Sequence, residues 1–223
     1  MISRPFAYSL LSLASSDLQK IGNGKAEERA PKVVLGPGSG LGVACLIEHE
    51  HAENRLVIPS EGGHATLAGH SDREDAIIRI LRKRFGHASA ERAISGPGLE
   101  NIFQAIATLR ALNIAQTDAA EITRRALSHE CDVAHEALDT FCALLGSFAG
   151  NVALTFGAKG GIYVGGGISP RISSFLARSQ FRARFEAKGR FRRYLEQIPC
   201  YIIVHPAAAF LGLKFLASAG EQP

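Results

Sequence analysis

From Asp132 to Phe156 the chain places Val133, Ala137, Phe141, Leu144, Phe148, Val152 and Phe156 three or four positions apart. That spacing predicts one long helix with an apolar stripe down its length. Gly146, Ala149 and Gly150 fall in the same stretch and let a neighbouring element pack closely. Such a helix is the centre of a core, and the other elements have to cover it. Short apolar runs at 32–35, 43–47, 55–58 and 200–204 read as strands, and 160–168 as a strand running into a glycine loop. Strand, glycine loop, strand and strand between 32 and 58 describe a β-meander, not the strand-to-helix turn of a dinucleotide fold. Helices are expected from Phe6 to Leu18, from the Ser71-Asp72 cap to about Phe85, from Leu99 to Leu109 and from Thr117 to Leu127. A further helix is expected to start at Ser169-Pro170, the segment 181–194 to be partly helical, and Ala207 to Ala217 to form the last helix. This order of elements argues an α/β chain, a mixed sheet flanked by helices.

A chain of 223 residues with 46% hydrophobic content can bury one substantial core. Its formal charge is +4, with basic runs at Arg79–Arg84 and Lys188–Arg193. Solvated helix faces account for both runs, since no zinc-finger spacing or aromatic interleaving accompanies them, so no nucleic-acid partner is expected. Cys45, Cys131, Cys142 and Cys200 are far apart in apolar surroundings and read as buried thiols of a reducing compartment. The start has no convincing cleavage site, and nothing approaches the apolar length needed to cross a bilayer, which points to the cytoplasm and no membrane partner.

Three glycine-rich stretches could carry chemistry. Ser60-Glu61-Gly62-Gly63-His64 sets a carboxylate and an imidazole three residues apart beside two glycines. It suits a hydroxyl-rich ligand, and it equally suits a tight turn that satisfies its own acidic residue. Gly36-Pro37-Gly38-Ser39-Gly40-Leu41-Gly42 can turn backbone N–H groups towards a phosphate, with Ser39 adding a hydroxyl. It lacks the lysine of a P-loop, and a simple hairpin connection fits it too. Gly165-Gly166-Gly167 follows a strand, where nucleotides bind at the carboxyl end of a sheet or where a helix packs closely.

Taken in order, these stretches, with Ser89-Ala90-Glu91-Arg92 and Ser95-Gly96-Pro97-Gly98-Leu99 between them, resemble the bacterial glucokinase family. The resemblance runs from about residue 7 to the C-terminus and includes Glu186-Ala187-Lys188-Gly189-Arg190-Phe191. It implies the large domain of the actin-like ATPase (ribonuclease H-like) fold, shared with hexokinase, and ATP-dependent phosphorylation of glucose at its 6-hydroxyl, the first step of glycolysis. By the same resemblance Gly36, Gly38, Ser39 and Gly40 face the β and γ phosphates of ATP, with Ser39 where the family usually has threonine. Gly165, Gly166 and Gly167 lie beside the adenosine, Glu61, His64 and Glu91 hold the glucose hydroxyls, and Mg²⁺ is carried by ATP. His49 lies outside these motifs. The absence of a cysteine-rich zinc cluster points away from the regulatory kinases that carry one.

Two family motifs are missing from the sequence: the Gly-Asp-x-Gly-Gly-Thr-Asn-x-Arg phosphate loop and the Asn-Asp-Phe segment whose aspartate takes the sugar's proton. The resemblance begins just after that aspartate, where the chain has only Met1 to Phe6, so no catalytic residue is assigned. The expectation is an N-terminally truncated member. Residues 1–30 would be a remnant helix and linker of the small domain, 31–205 the large sugar- and nucleotide-binding domain, and 206–223 a helix returning to the small domain. The first and last helices would then leave Phe210, Leu211, Leu213, Phe215 and Leu216 incompletely covered. A homodimer or a separately encoded N-terminal half would be the partner, and a sugar-binding remnant or a kinase for another hexose are the rival functions.

Overall fold

The computed structural model describes residues 4–48 and 55–220, so His49 lies outside the described residues. Among these, six strands form one sheet: β1 (Leu18–Ile21), β2 (Lys32–Pro37), β3 (Leu41–Glu48), β4 (Arg55–Ser60), β5 (Gly161–Val164) and β6 (Cys200–Ile203). Their order across the sheet is β1-β6-β5-β2-β3-β4. The meander β2-β3-β4 is antiparallel, β5 and β6 join β2 in parallel, and β1 closes the far edge antiparallel to β6. The mixed sheet flanked by helices is therefore present.

Side chains alternate across a strand, and both faces of this sheet are apolar. Val33, Leu35, Cys45, Ile162 and Cys200 point into the larger core, which α5 (Asp132–Phe156) fills with Phe141, Leu144 and Phe148. α3 (Gly96–Leu109), α4 (Ala119–Leu127) and α7 (Phe181–Glu186) pack on α5 and α2 (Asp72–Phe85) packs on α3, with α7 crossing α5 at Gly146 where a Cβ would run into the Phe181 carbonyl. Val34, Ala44, Leu46, Val57 and Tyr163 form the smaller core on the other face, under α1 (Arg4–Tyr8) and α9 (Ala208–Gly220). Tyr8 stacks on Phe215 there, ring centroids 5.5 Å apart.

The bounds of α5 agree with the periodicity, but its hydropathy corrects one expectation. It is long and apolar enough, by length and composition, to cross a bilayer. In the fold, 72% of its most apolar window is buried against neighbouring elements, which makes it the core helix. Cys45, Cys142 and Cys200 are buried as expected, while Cys131 is only half-buried. Burial pushes the Cys45 thiol up to about 11 and those of Cys142 and Cys200 to about 12, so all three are protonated and inert.

Three local expectations change. The first helix ends at Tyr8, and residues 18–21 are strand β1 of the main sheet. The serines explain it: Ser9 donates its hydroxyl to the Phe6 carbonyl at 2.6 Å, and Asp17 accepts from the Ala14 N–H at 2.9 Å, turning the chain into β1. The third helix starts earlier than Leu99, because Ser95 caps it by accepting from Gly98 N–H at 2.9 Å and Pro97 needs no partner in the first turn. The helix expected at Pro170 begins only at Ser173 (α6, Ser173–Arg178), since Ile168 to Ser173 is used by successive turns. The short α8 (Arg192–Glu196) completes the helices of the partly helical basic segment.

Asp118 shows how local these devices are. It sits at the N-cap of α4 and accepts from the Glu121 N–H at 2.8 Å. Asp118→Ala is expected to cost about 1 kcal/mol of stability in urea unfolding, with an unchanged slope. An unchanged midpoint would mean that solvent serves this helix end equally well.

Candidate active site

Strand directions gather the candidate loops. Because β4, β5 and β6 all run parallel to β2, the connections after these four strands leave from one end of the sheet. That end carries Gly38–Gly40 after β2, Glu61–His64 after β4, Gly165–Gly167 after β5 and His205 after β6. Ligands of open α/β sheets bind beyond the carboxyl ends of the strands.

The first glycine stretch is tighter than its sequence suggests. Gly36 pairs with Gly42 and Pro37 with Leu41, so Gly36 is a buried strand residue. The turn proper is Gly38-Ser39-Gly40, with Gly38 N–H donating to the Gly40 carbonyl at 2.8 Å and Ser39 exposed. The Gly38 carbonyl in turn accepts from Gly96 N–H at 2.7 Å, which fixes the hairpin against the start of α3.

Beyond β4, a 3-10 turn runs from Gly62 to His64 and lies against β3. A Cβ at Gly63 would run into the Leu41 carbonyl, so the turn lies directly on the hairpin only because position 63 has no side chain. Glu61 and His64 are exposed, with 3.8 Å between the carboxylate Oε2 and the imidazole Nε2. The next residues pair with the segment before Glu91: Leu67 N–H donates to the Ala88 carbonyl at 2.9 Å and Ala90 N–H to the Ala65 carbonyl at 2.9 Å. That pairing delivers Glu91, half-buried in the 3-10 turn Ala90–Arg92. Glu91 Oε2 accepts the Leu41 N–H at 2.8 Å, and no other hydrogen bond to its carboxylate forms among the described residues.

Gly165 and Gly166 lie after β5 at the same end of the sheet. Gly165 N–H donates to the Leu35 carbonyl at 2.8 Å, and its α-carbon is covered by the Phe6 ring. Gly166 has φ +81°, a left-handed conformation, and a Cβ there would run into the Pro37 carbonyl. Gly167 has open space above it. Next to these glycines is a cavity of about 430 Å³ bounded by Phe6, Pro170, Ile203, His205 and Phe210. Neither Phe6 nor His205 belongs to a glycine motif, although His205 directly follows the last strand run. The Glu91–Leu41 bond spans 50 positions and leaves no mark in the sequence.

A family model described as glucokinase matches residues 4–220. The chain belongs to the glucokinase family. A glucokinase of Paramagnetospirillum magneticum is 44% identical over 95% of this chain and 66% of its own length. One from Aromatoleum aromaticum is 46% identical over 92% of the chain and 62% of its own length. The chain thus spans just under two thirds of these curated glucokinases. The crystal structure of a glucokinase from an Antarctic psychrotroph superposes with a TM-score of 0.88 at 38% identity, over 97% of this chain and 66% of that one. The glucokinase-family chain therefore has the expected fold, the large α/β domain of the actin-like ATPases.

Proposed function

We propose that this chain forms the sugar- and nucleotide-holding wall of an ATP-dependent glucokinase that transfers the γ-phosphoryl group of ATP to the 6-hydroxyl of glucose. The observation that carries the reading is the Glu91–Leu41 bond, which ties the proposed sugar carboxylate to the proposed phosphate hairpin. Glu61, His64 and the remaining oxygen of Glu91 supply acceptors and one switchable donor for a polyol. The Gly38-Ser39-Gly40 turn, with the exposed Ser39 hydroxyl, would face the β and γ phosphates, Mg²⁺ arriving with them. The adenosine would lie in the cavity beside Gly166 and Gly167, apolar surfaces from Phe6 and Ile203 covering its flat ring. Such a wall orients substrates. Phosphoryl transfer also needs an oriented nucleophile and charge stabilisation around the phosphates.

An exposed apolar face supports a partner for this wall. Phe210 is 71% exposed and Leu213 48%, whereas Leu211, Phe215 and Leu216 are partly covered by the packing of α9 with α1 and the sheet. The proposed cover is the small domain of the family, carried on the same polypeptide or a separate one.

Calorimetric titration with glucose tests the sugar site. Glu61→Gln, His64→Ser and Glu91→Gln are each expected to weaken binding roughly three- to tenfold, less than a shielded charged hydrogen bond would give because the cleft is open. His49→Ala is expected to leave it unchanged. Equal affinities for all four variants and the unaltered chain would assign Glu61 and Glu91 to turn structure alone.

A further inference from the structure

A second polar cavity, of about 370 Å³, lies behind the Glu91 turn, between the end of α2 and the start of α3. Two guanidinium groups dominate it. Arg84 and Arg92 both lie over the Phe85 ring, 4.9 and 4.2 Å from its centroid. Neither has a carboxylate within ion-pair distance among the described residues. Buried Asn101 fixes their spacing: its Oδ1 accepts from Arg84 at 3.1 Å, and its Nδ2 donates to the Arg92 carbonyl at 2.9 Å. Stacking and this bridge hold the arginines in place with most of their N–H donors uncommitted.

Glu100 also lines the cavity, with Oε1 taken by the Ala119 N–H at 3.1 Å. Two cations and one anion favour an occupant with its charge concentrated at one end and a hydrogen-bonding remainder, for which the Gln104 amide is available. We propose that the cavity binds a small phosphomonoester, the phosphate held by Arg84 and Arg92. The cavity is coupled to the candidate active site through the backbone. Arg92 shares the Ala90–Arg92 turn with Glu91, and the Ser95 hydroxyl, which caps α3, donates to the Glu91 carbonyl at 2.8 Å. A phosphate on Arg92 therefore acts on the turn that presents Glu91 to Leu41. Its value as regulation rests on the proposed sugar role of Glu91, but binding itself does not.

The test is an NMR titration of the full chain with glycerol 3-phosphate at constant ionic strength, and separately with inorganic phosphate. Saturable shifts are expected at the Arg84 and Arg92 side-chain Nε–H groups and the Asn101 amide, with a coupled shift at the Leu41 N–H. The Arg84→Gln, Arg92→Gln double variant, altered only at exposed positions, is expected to bind at least tenfold more weakly while keeping its amide spectrum elsewhere. A weaker response to inorganic phosphate than to the ester supports a site that reads the whole molecule. Shifts confined to Gly38–Gly40, non-saturable shifts, or equal affinity in the double variant would overturn the proposal. None of these outcomes depends on whether glucose binds.

Discussion

Given Mg·ATP and glucose, the isolated 223-residue chain is expected to form no glucose 6-phosphate above background. The resemblance to the family assigns none of these 223 residues as the aspartate that takes the sugar's proton. Loss of a positioned general base alone costs roughly 10²- to 10⁴-fold in rate. Nor does the resemblance assign a first phosphate loop, and phosphoryl transfer depends on positioning and charge stabilisation more than on covalent chemistry. Glu61 does not replace the base, because its proposed role is on the other side of the sugar from the 6-hydroxyl. Adding the N-terminal part of a relative, as a separate polypeptide that covers Phe210 and Leu213, is expected to restore turnover. A coupled assay showing about one turnover per second from the isolated chain would contradict this account of the chemistry.

The second large effect is structural. Arg184 of α7 grips Glu74 of α2 with two bonds of 2.6 and 2.8 Å, and the His70 N–H donates to the same carboxylate at 2.8 Å. The side chains are only 12% and 7% exposed. Arg184→Met removes the cation and leaves Glu74 charged and buried, which is expected to cost about 3–5 kcal/mol. Burial pushes the Glu74 carboxyl up, but the Arg184 bonds and the His70 N–H more than reverse this and hold it below its ordinary value. A carboxylate held low in the folded state stabilises it above the unfolded pKa, and that contribution disappears as pH falls through the folded one. Glu74→Gln should therefore lose stability at neutral pH and show a shallower decline on the acid side. Urea midpoints measured from pH 7 down through the carboxylate range check both. A loss below about 1 kcal/mol for Arg184→Met would place this pair with ordinary surface bridges.

What the sequence revealed and what it hid follow from the range of the interactions. The span of α5 was legible because its apolar period continues unbroken from Val133 to Phe156 and each turn repeats the signal. The meander was legible because its strands are adjacent and its glycines mark the turn. Strand β1 was hidden: Leu18 to Ile21 is too short for a pattern, and its partner Cys200–Ile203 lies at the other end of the chain. The candidate site was legible only as motifs, Glu61 with His64 and Glu91 after Ser89-Ala90. Its assembly was not, because the Glu91–Leu41 bond, the contact of Gly63 with Leu41 and the packing of Gly166 on Pro37 are all tertiary. Phe6 and His205 line the candidate nucleotide cavity only because the sheet brings the ends of β5 and β6 together.

The central claim is that Glu61, His64 and Glu91 converge on one sugar at the carboxyl end of this sheet. An NMR titration of the unaltered chain with millimolar glucose tests it directly, with galactose as the comparison. The account predicts saturable shifts at the Gly62, Gly63 and Glu91 amides, carried to the Leu41 N–H through its bond to the Glu91 carboxylate, and weaker ones with galactose. Folded protein whose Gly62, Gly63 and Glu91 signals stay in place as glucose is added would contradict it.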